Sequence, residues 1–455
     1  MSQQAKVGFF GGVDSVTGSN FLFEADGKRI LIDCGLYQGE KYADDRNREE
    51  FGFDPKSIDI LLVTHAHIDH IGRIPKLVRE GFSGKIYSTP PTEELTEIML
   101  LDTTRILAHE AIVDGREPIY TERDVRDTMK LWTSHEYYAS FAITPALSCE
   151  FKDAGHILGS AMMFLTWNGT TMVFTGDLGN SPTPLLRDTD SIKGATYLLM
   201  ESVYGDRNHE GREERKELLR GIITDSIAHG GVLMIPAFSI ERTQELLFEL
   251  NDLVEHHNLP DVKIYLDSPL AIKATEVYRK SDKYFNQNAQ HIIKTGDDVF
   301  KFPRLYFTET KQESMEIWET KGPKVIMAGS GMANGGRIVH HLKHYLHDSK
   351  NVVLLVGYQA AGTPGRKLAE GAKVVRLNGD DVAVKAKVLQ LHGYSGHKDM
   401  DHLMEFVEGG KDTLKKIFVT IGEPKSSMFL AQRIRDYLGL DAIVPSPKDE
   451  HTLEF

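Results

Sequence analysis

The feature that most constrains this chain is a run in which an apolar strand empties directly into metal-ligand side chains: Ile60-Leu61-Leu62-Val63-Thr64-His65-Ala66-His67-Ile68-Asp69-His70. In extended backbone His65 and His67 point the same way, because side chains alternate with period two. Asp69 and His70 then fall where a helix begins, aimed back at the strand end. One short segment can therefore offer ligands to two adjacent cations. Imidazole together with carboxylate suits zinc, with Mn²⁺ or Fe²⁺ as alternatives. A lone histidine at a strand end is usually a satisfied polar residue. Four ligand-type residues between positions 65 and 70 are not explained that way.

Two further residues extend the pattern. His156 sits in Asp153-Ala154-Gly155-His156-Ile157-Leu158-Gly159-Ser160-Ala161, and Asp177 in Phe174-Thr175-Gly176-Asp177-Leu178-Gly179-Asn180. A carboxylate between glycines, directly after an apolar strand, is well placed to bridge two cations. Asp33, in Leu31-Ile32-Asp33-Cys34-Gly35, is another acidic strand end. Taken alone, it reads as a turn former ahead of a glycine.

At 455 residues the chain has room for two or three domains and a large core. Its net charge of −13 repels nucleic acid in bulk, so a polyanionic substrate must be held locally, by a metal site, placed Arg or Lys, and backbone N–H groups. No stretch approaches the roughly 18 apolar residues of a membrane span. The opening residues show no basic segment followed by an apolar run, so no signal peptide is read there. Only two cysteines occur, Cys34 and Cys149, which fits a reducing, cytoplasmic setting.

Short β-rich runs alternate with longer amphipathic ones, giving an α/β class. Predicted strands include 6–10, 20–24, 29–33, 60–64, 162–167, 171–175, 197–200, 232–236, 263–266, 324–328, 351–356 and 416–420. Several are continuously apolar, as strands covered on both faces are. Helices are predicted over 71–79, 92–114, 122–132, 243–256 and 336–346. The histidines of His340-His341-Leu342-Lys343-His344-Tyr345-Leu346-His347 read as part of an ordinary helix, since no carboxylate lies in the run.

Together these motifs resemble those of metallo-β-lactamase-fold hydrolases. The downstream segments resemble the β-CASP branch, which includes bacterial and archaeal ribonucleases and the nuclease of mRNA 3′-end processing. Those segments are Met200-Glu201-Ser202-Val203-Tyr204-Gly205-Asp206, Ile235 to Leu246, Gly329 to Gly336, Gly357 to Arg366, and Gly393-Tyr394-Ser395-Gly396-His397-Lys398-Asp399. The resemblance implies a four-layer αββα metallo-β-lactamase domain with an inserted α/β β-CASP domain. The borders would be 1–205 and 383–455 for the first and 206–382 for the insert.

By resemblance, His65, His67 and His156 bind one metal, Asp69 and His70 a second, and Asp177 bridges, with one or two Zn²⁺ ions as cofactor. Asp33 supports this loop from behind. A metal-activated water would attack phosphorus, with Asp69, His397 and Glu201 as the catalytic residues. His397 would serve the leaving 3′ oxygen and Glu201 would orient it. Ser330 and Gly331, in a glycine-rich stretch between a strand and a helix, and Arg242 and Arg366 would hold substrate phosphates.

One position departs from the family pattern. Where a histidine normally completes the second metal site, the segment Val419-Thr420-Ile421-Gly422-Glu423-Pro424 carries Ile421, which cannot bind a metal. The second site should be weakened; His392 is the candidate rescue ligand, although a strand-end histidine with no defined partner is usually structural. The resulting expectation is a ribonuclease cutting single-stranded RNA, as an endonuclease or from the 5′ end. Its alternatives are a metallo-hydrolase of a β-lactam or ester, and a catalytically weakened RNA-binding subunit. No membrane partner is expected, and a homodimer stays open.

Overall fold

A computed structural model describes residues 4–39, 43–209, 214–257, 259–357, 359–360 and 362–455; the side chain of His392 lies outside what it describes. The chain divides into two compact units. The first comprises Met1–Pro182, Arg187–Asn208 and His397–Phe455, and the second Thr183–Leu186 and His209–Gly396.

The first unit is built on two seven-stranded sheets. One runs, in spatial order, Glu450–Glu454, Gln4–Gly11, Asn20–Ala25, Lys28–Ile32, Ile60–Leu62, Lys85–Ser88, Trp132–Ser134. The other runs Ala442–Ile443, Lys416–Val419, Tyr197–Met200, Thr170–Phe174, Ala161–Trp167, Leu147–Asp153, Phe141–Ala142.

Period-two alternation decides what each sheet face meets. Leu22, Leu31, Leu61 and Val63 pack on the helical residues Ile71, Ile74, Leu77 and Leu100. Phe23 points the other way, and its ring lies 5.9 Å from that of Phe174 in the opposite sheet. Phe9 meets Phe418 in the same manner, at 5.3 Å. Across the second sheet, Val173, Leu198, Ile417 and Val419 pack on Leu403, Val407, Leu430 and Ile434 of its own helices. Helix, sheet, sheet, helix is the four-layer arrangement the resemblance implied. Each of these fully buried Leu, Ile or Phe side chains contributes about 1.5–3 kcal/mol.

The second unit carries a six-stranded parallel sheet in the order Leu305–Phe307, Lys263–Leu266, Lys324–Ala328, Val232–Pro236, Val352–Leu355, Lys387–Gln390. Parallel strands need helical crossovers, which cover the sheet and explain the continuously apolar strands. Residues Val374–Leu377 and Asp380–Ala383 form a separate antiparallel ribbon. This unit also buries a charged network. Arg215 pairs with Glu249 at 2.9 Å and donates to the Gly393 carbonyl, while the Tyr394 hydroxyl donates to Glu249.

Two local differences from the sequence reading have clear causes. The helix predicted over 71–79 is two helices, Ile68–Ile71 and Ile74–Arg79. Pro75 sits at the start of the second, where its missing N–H costs nothing, and would break a continuous helix. The strand Leu147–Asp153 was not predicted, although its burial alternates cleanly along the strand.

Candidate metal centre

Three strand ends and one helix start of the first unit bring the polar cluster together. Ile60–Leu62 delivers Thr64, His65 and His67, and His67 is the N-cap of Ile68–Ile71, which carries Asp69 and His70. His156 follows the strand Leu147–Asp153, and Asp177 follows Thr170–Phe174. Close backbone approach allows this crowding. A Cβ on Gly35 would lie 1.5 Å from the Asp69 carbonyl oxygen, and one on Gly179 would lie 1.7 Å from that of Gly155.

One donor atom from each of His65, His67, His156 and Asp177 lies within 4.8 Å of the other three. His65 Nε2 and His67 Nδ1 are 3.1 Å apart, and His67 Nδ1 and His156 Nε2 are 3.2 Å apart. His65 Nε2 and His156 Nε2 each stand 3.5 Å from Asp177 Oδ2. A tetrahedron with metal–ligand bonds of about 2.0–2.1 Å has edges of about 3.3–3.4 Å. The four separations given, 3.1–3.5 Å, bracket the edge of a tetrahedral zinc shell.

A second set of donors faces the other oxygen of the same carboxylate. His70 Nε2 lies 3.3 Å from Asp177 Oδ1, and neither atom has a hydrogen-bond partner among the described residues. Buried polar atoms left in that state cost about 1–3 kcal/mol each. A cation between them would remove the cost, so the residues present fit the group.

The supporting hydrogen bonds fix which ring nitrogens face inward. Asp33 accepts from Thr64 N (2.8 Å), from Thr64 Oγ1 (2.8 Å) and from His70 Nδ1 (2.7 Å). Because Thr64 Oγ1 spends its proton on Asp33, it accepts from His65 Nδ1 at 3.0 Å. Both imidazoles therefore turn a bare Nε2 toward Asp177.

The charges of His67, His156 and Asp177 agree with that picture. Burial, with repulsion from His65, holds His67 well below the usual histidine range; burial, with repulsion from His397, does the same for His156. Burial alone would raise Asp177, but His70 and His65 hold it well below the usual carboxylate range. Burial raises Asp69, and Asp177 adds to the effect. Burial opposes a charge on His70, yet Asp177 and Asp33 lift it well above the usual value. A cation needs neutral imidazoles and ionised carboxylates, so its binding at the second set would compete with protons on His70 and Asp69.

His397 and Glu201 stand beside this set. Glu201 is fully buried; its Oε1 accepts from Leu178 N and lies 3.2 Å from His397 Nδ1. Residues Gly179 and His397 form a β-bridge, and Lys398 N donates to the Leu178 carbonyl, which holds His397 4.0 Å from Asp177 Oδ2. Burial would lower His397, but Glu201 first and Asp177 after it raise it to about 9.

Ile421 closes the strand Lys416–Val419 in an unusual conformation. It is buried, with φ of 47°. For a β-branched residue this left-handed backbone is an outlier costing roughly 1–2 kcal/mol. It is held on both sides, by Ile421 N donating to the Gly12 carbonyl and by Ser202 N donating to the Ile421 carbonyl. The adjacent glycine is obligatory, since a Cβ on Gly422 would lie 2.3 Å from Ser202 Oγ.

The residues assigned to substrate phosphate lie in the second unit. Ser330 Oγ donates to Asn334 Oδ1 at 2.6 Å, and Ser330 N to the Gly335 carbonyl. Gly331 packs against Phe238 and its carbonyl accepts from Gln359. Arg242 is buried and paired with Glu245, and Arg366 pairs with Glu370 at 2.6 Å.

A further cluster in this unit was not visible as such in the sequence. Asp267 accepts from His341 Nε2, Ser314 Oγ, Thr308 Oγ1 and Arg337 Nη1 at 2.6–2.7 Å. Trp318 Nε1 donates to His341 Nδ1 at 3.0 Å. The partners come from three separate segments, and only the His341 histidine run drew notice.

Family models match three stretches. Residues 14–149 match the metallo-beta-lactamase superfamily, 243–368 the Beta-Casp domain, and 381–445 the Zn-dependent metallo-hydrolase RNA specificity domain. Ribonuclease TTHA0252 of Thermus thermophilus is 40% identical over 401 residues, which is 88% of this chain and 90% of that protein. An RNase J-like protein of Methanocaldococcus jannaschii is 33% identical, covering 96% of this chain and 97% of that one. The transcription termination factor FttA of Methanosarcina mazei is 30% identical over 96% of this chain and 70% of its own length. The crystal structure of a protein of unknown function from Enterococcus faecalis shares the fold. Its TM-score is 0.58 at 12% identity, over 99% of this chain and 100% of that chain.

Proposed function

Because this chain belongs to the β-CASP family of metallo-β-lactamase-fold hydrolases, whose metal-dependent ribonuclease activity it shares, we propose that it cleaves phosphodiester bonds of single-stranded RNA at the centre built on Asp177. The observation that carries this reading is the four-donor set of His65, His67, His156 and Asp177. Zinc is the proposed ion. When bound there it supplies Lewis acidity, lowering the pKa of a water toward neutrality and offsetting negative charge on phosphoryl oxygens.

The chain's own residues do the rest. Asp177 presents one oxygen to each donor set, His70 belongs to the second, and Asp69 is proposed to join it. Asp33 and Thr64 lock the rings of His65 and His70 so that each turns a lone pair inward. His397 donates a proton to the leaving 3′ oxygen, and Glu201 orients its ring through Nδ1. With Ile421 in place of a ligand, the second set lacks a donor, so the proposed resting occupancy is one tightly held ion. Ser330, Gly331, Arg242 and Arg366 are proposed to steady the substrate's phosphates. Both cysteines are unpaired, which supports a reducing, cytoplasmic setting, and no helix among the described residues is long and apolar enough to cross a membrane.

The test joins metal content to cleavage of an end-labelled single-stranded RNA. Cleavage by the wild-type chain that a chelator removes, zinc restores and Asp177→Ala abolishes is the expected result. No cleavage at saturating zinc or manganese would end the proposal.

A further inference from the structure

In the first unit the helix Pro424–Arg433 runs on into a π-helical turn, Ile434–Leu438, of a kind often found at functional sites. Ser426, Ser427, Leu430, Ala431 and Ile434 are buried, and the last three join the core beneath the helix. The opposite face carries Lys425, Phe429, Arg433 and Tyr437, each four residues after the last, so cations and rings alternate along one stripe. The stripe is open to solvent: Phe429 is 40% exposed, Tyr437 68% and the neighbouring Met428 57%. The Arg433 guanidinium stands over both rings, its carbon 5.9 Å from the Phe429 centroid and 4.7 Å from that of Tyr437. It makes no ion pair among the described residues, and its Nε has no hydrogen-bond partner there. Lys425 meets Asp206 at 3.2 Å and has two further N–H donors. The buried face already anchors the helix, so the fold has no need of this arrangement.

We propose that this stripe is a docking face for single-stranded RNA, with bases stacked on Phe429 and Tyr437 and phosphates held by Arg433 and Lys425; the proposal rests on the ribonuclease reading. A guanidinium flanked by rings turns its N–H donors outward in its own plane, where a phosphate can accept two of them. Each ring keeps its other face for a base, and stacking suits any base because every base has a π face. Charge decides between occupants. On a chain of net charge −13, a cation left unpaired between exposed rings is held for an anion. A second copy meeting this face across a two-fold axis would set Arg433 against Arg433, and an acidic peptide would leave the rings uncovered. Position agrees as well. The strands Thr170–Phe174, Tyr197–Met200 and Lys416–Val419 are parallel neighbours, so the helix starts at the same sheet edge as Asp177.

The probe is a fluorescent oligoadenosine of about 20 nucleotides, long enough to cross several stacking positions. It is bound to the full chain carrying Asp177→Ala, so that the RNA stays intact. Adding Phe429→Ala or Tyr437→Ala should weaken binding by about tenfold each, and Tyr437→Phe should recover what Tyr437→Ala loses. Arg433→Ala should also flatten the slope of log Kd against log salt by about 0.7, which a merely structural change would not do. Ile112→Ala, which trims an exposed apolar side chain of the helix Pro90–Asp114, is the control and should bind as its parent does. The altered side chains lie on the solvent face, so the fold does not depend on them. Affinity and salt slope equal to the parent's in Phe429→Ala, Arg433→Ala and Tyr437→Ala overturn the proposal. So does a dimer that Tyr437→Ala turns into a monomer with RNA affinity kept, since the face would then belong to a second copy. The ribonuclease reading fails by a different result, no cleavage by the wild-type chain, so the two failures are separable.

Discussion

His70 Nε2 and Asp177 Oδ1 face each other across 3.3 Å, both buried and neither with a hydrogen-bond partner among the described residues. His70 Nδ1 is committed to Asp33, and Asp177 Oδ2 lies 3.5 Å from both His65 Nε2 and His156 Nε2. The pair is therefore oriented toward something it does not itself supply. Replacing Asp177 by asparagine should reduce bound zinc and bring RNA cleavage to background. Without metal the variant should also be less stable than the wild-type chain without metal, because Asp177 and His70 favour each other's charged forms in the fold and one partner is lost. Wild-type cleavage rates in Asp177→Asn would sink the bridging role.

Asp33 offers a finer test, because it reaches the metal only through other side chains. It holds Thr64 and His70, and through Thr64 it holds His65. Asp33→Asn should weaken zinc binding by about 10–100-fold, the usual loss when an outer hydrogen-bond partner of a ligating histidine is removed. Excess zinc should restore cleavage in this variant and leave Asp177→Asn inactive. If excess zinc rescues neither, Asp33 acts on something other than metal affinity.

How much of this was legible beforehand follows from the range over which each feature is determined. The ligand run at His65 to His70 is local: a strand end and a helix start within a few residues fix where the side chains go. Pro75 and Gly72 were equally visible as helix breakers, yet the apolar spacing of Ile71, Ile74 and Leu77 suggested one helix. Leu147–Asp153 alternates in burial along its whole length, but Ser148, Glu150 and Lys152 dilute its hydrophobicity. Short strands such as Trp132–Ser134 and Ala442–Ile443 exist because a neighbouring strand accepts them, which no local pattern reveals. Arg242 read as a phosphate clamp, and no local pattern reveals that the fold buries it beside Glu245. Asp267 gathers four donors from distant segments and carries no local signature at all.

Ile421 makes a prediction in which backbone and metal chemistry reinforce one another. Its left-handed conformation suits histidine or asparagine better than a β-branched residue. Ile421→His should therefore release part of the roughly 1–2 kcal/mol of strain and supply the missing donor. Bound metal should rise, and so should cleavage at limiting metal. Ile421→Val keeps the strain and loses a buried methylene, so it should destabilise the chain by about 0.5–1.5 kcal/mol with metal content unchanged. Equal metal content and equal cleavage in wild type and Ile421→His would show that the missing histidine does not limit the second set.

The buried pair Arg215–Glu249 should be costly to break. Glu249 also takes the Tyr394 hydroxyl, so one carboxylate serves two buried donors. Glu249→Gln leaves the Arg215 charge without its partner, and such losses run to about 3–5 kcal/mol. Tyr394→Phe removes only a neutral donor and should cost about 1 kcal/mol. The measurement is the urea midpoint of each variant, and a Glu249→Gln effect no larger than that of Tyr394→Phe would contradict the network's charged character.

Asp267 should give the chain a distinct loss of stability in acid. Burial alone would raise its pKa, but hydrogen bonds from His341, Ser314, Thr308 and Arg337 outweigh that and lower it to about 2. Trp318 Nε1 can only donate, so His341 Nδ1 must accept and its Nε2–H must face Asp267. In the unfolded chain an aspartate titrates near ~3.9. The folded value is the lower one, so the unfolded state takes up the proton first as pH falls. The stabilisation is complete above about pH 5 and is lost as pH drops from ~4 through ~2. It amounts to roughly 2–3 kcal/mol on that shift. Asp267→Asn should be less stable than wild type at pH 6, with the gap narrowing steadily below pH 4. Urea unfolding followed at pH 6, 4 and 2.5 tests this, and a gap that stays constant across those values would mean that the carboxylate's charge contributes nothing to holding the second unit together.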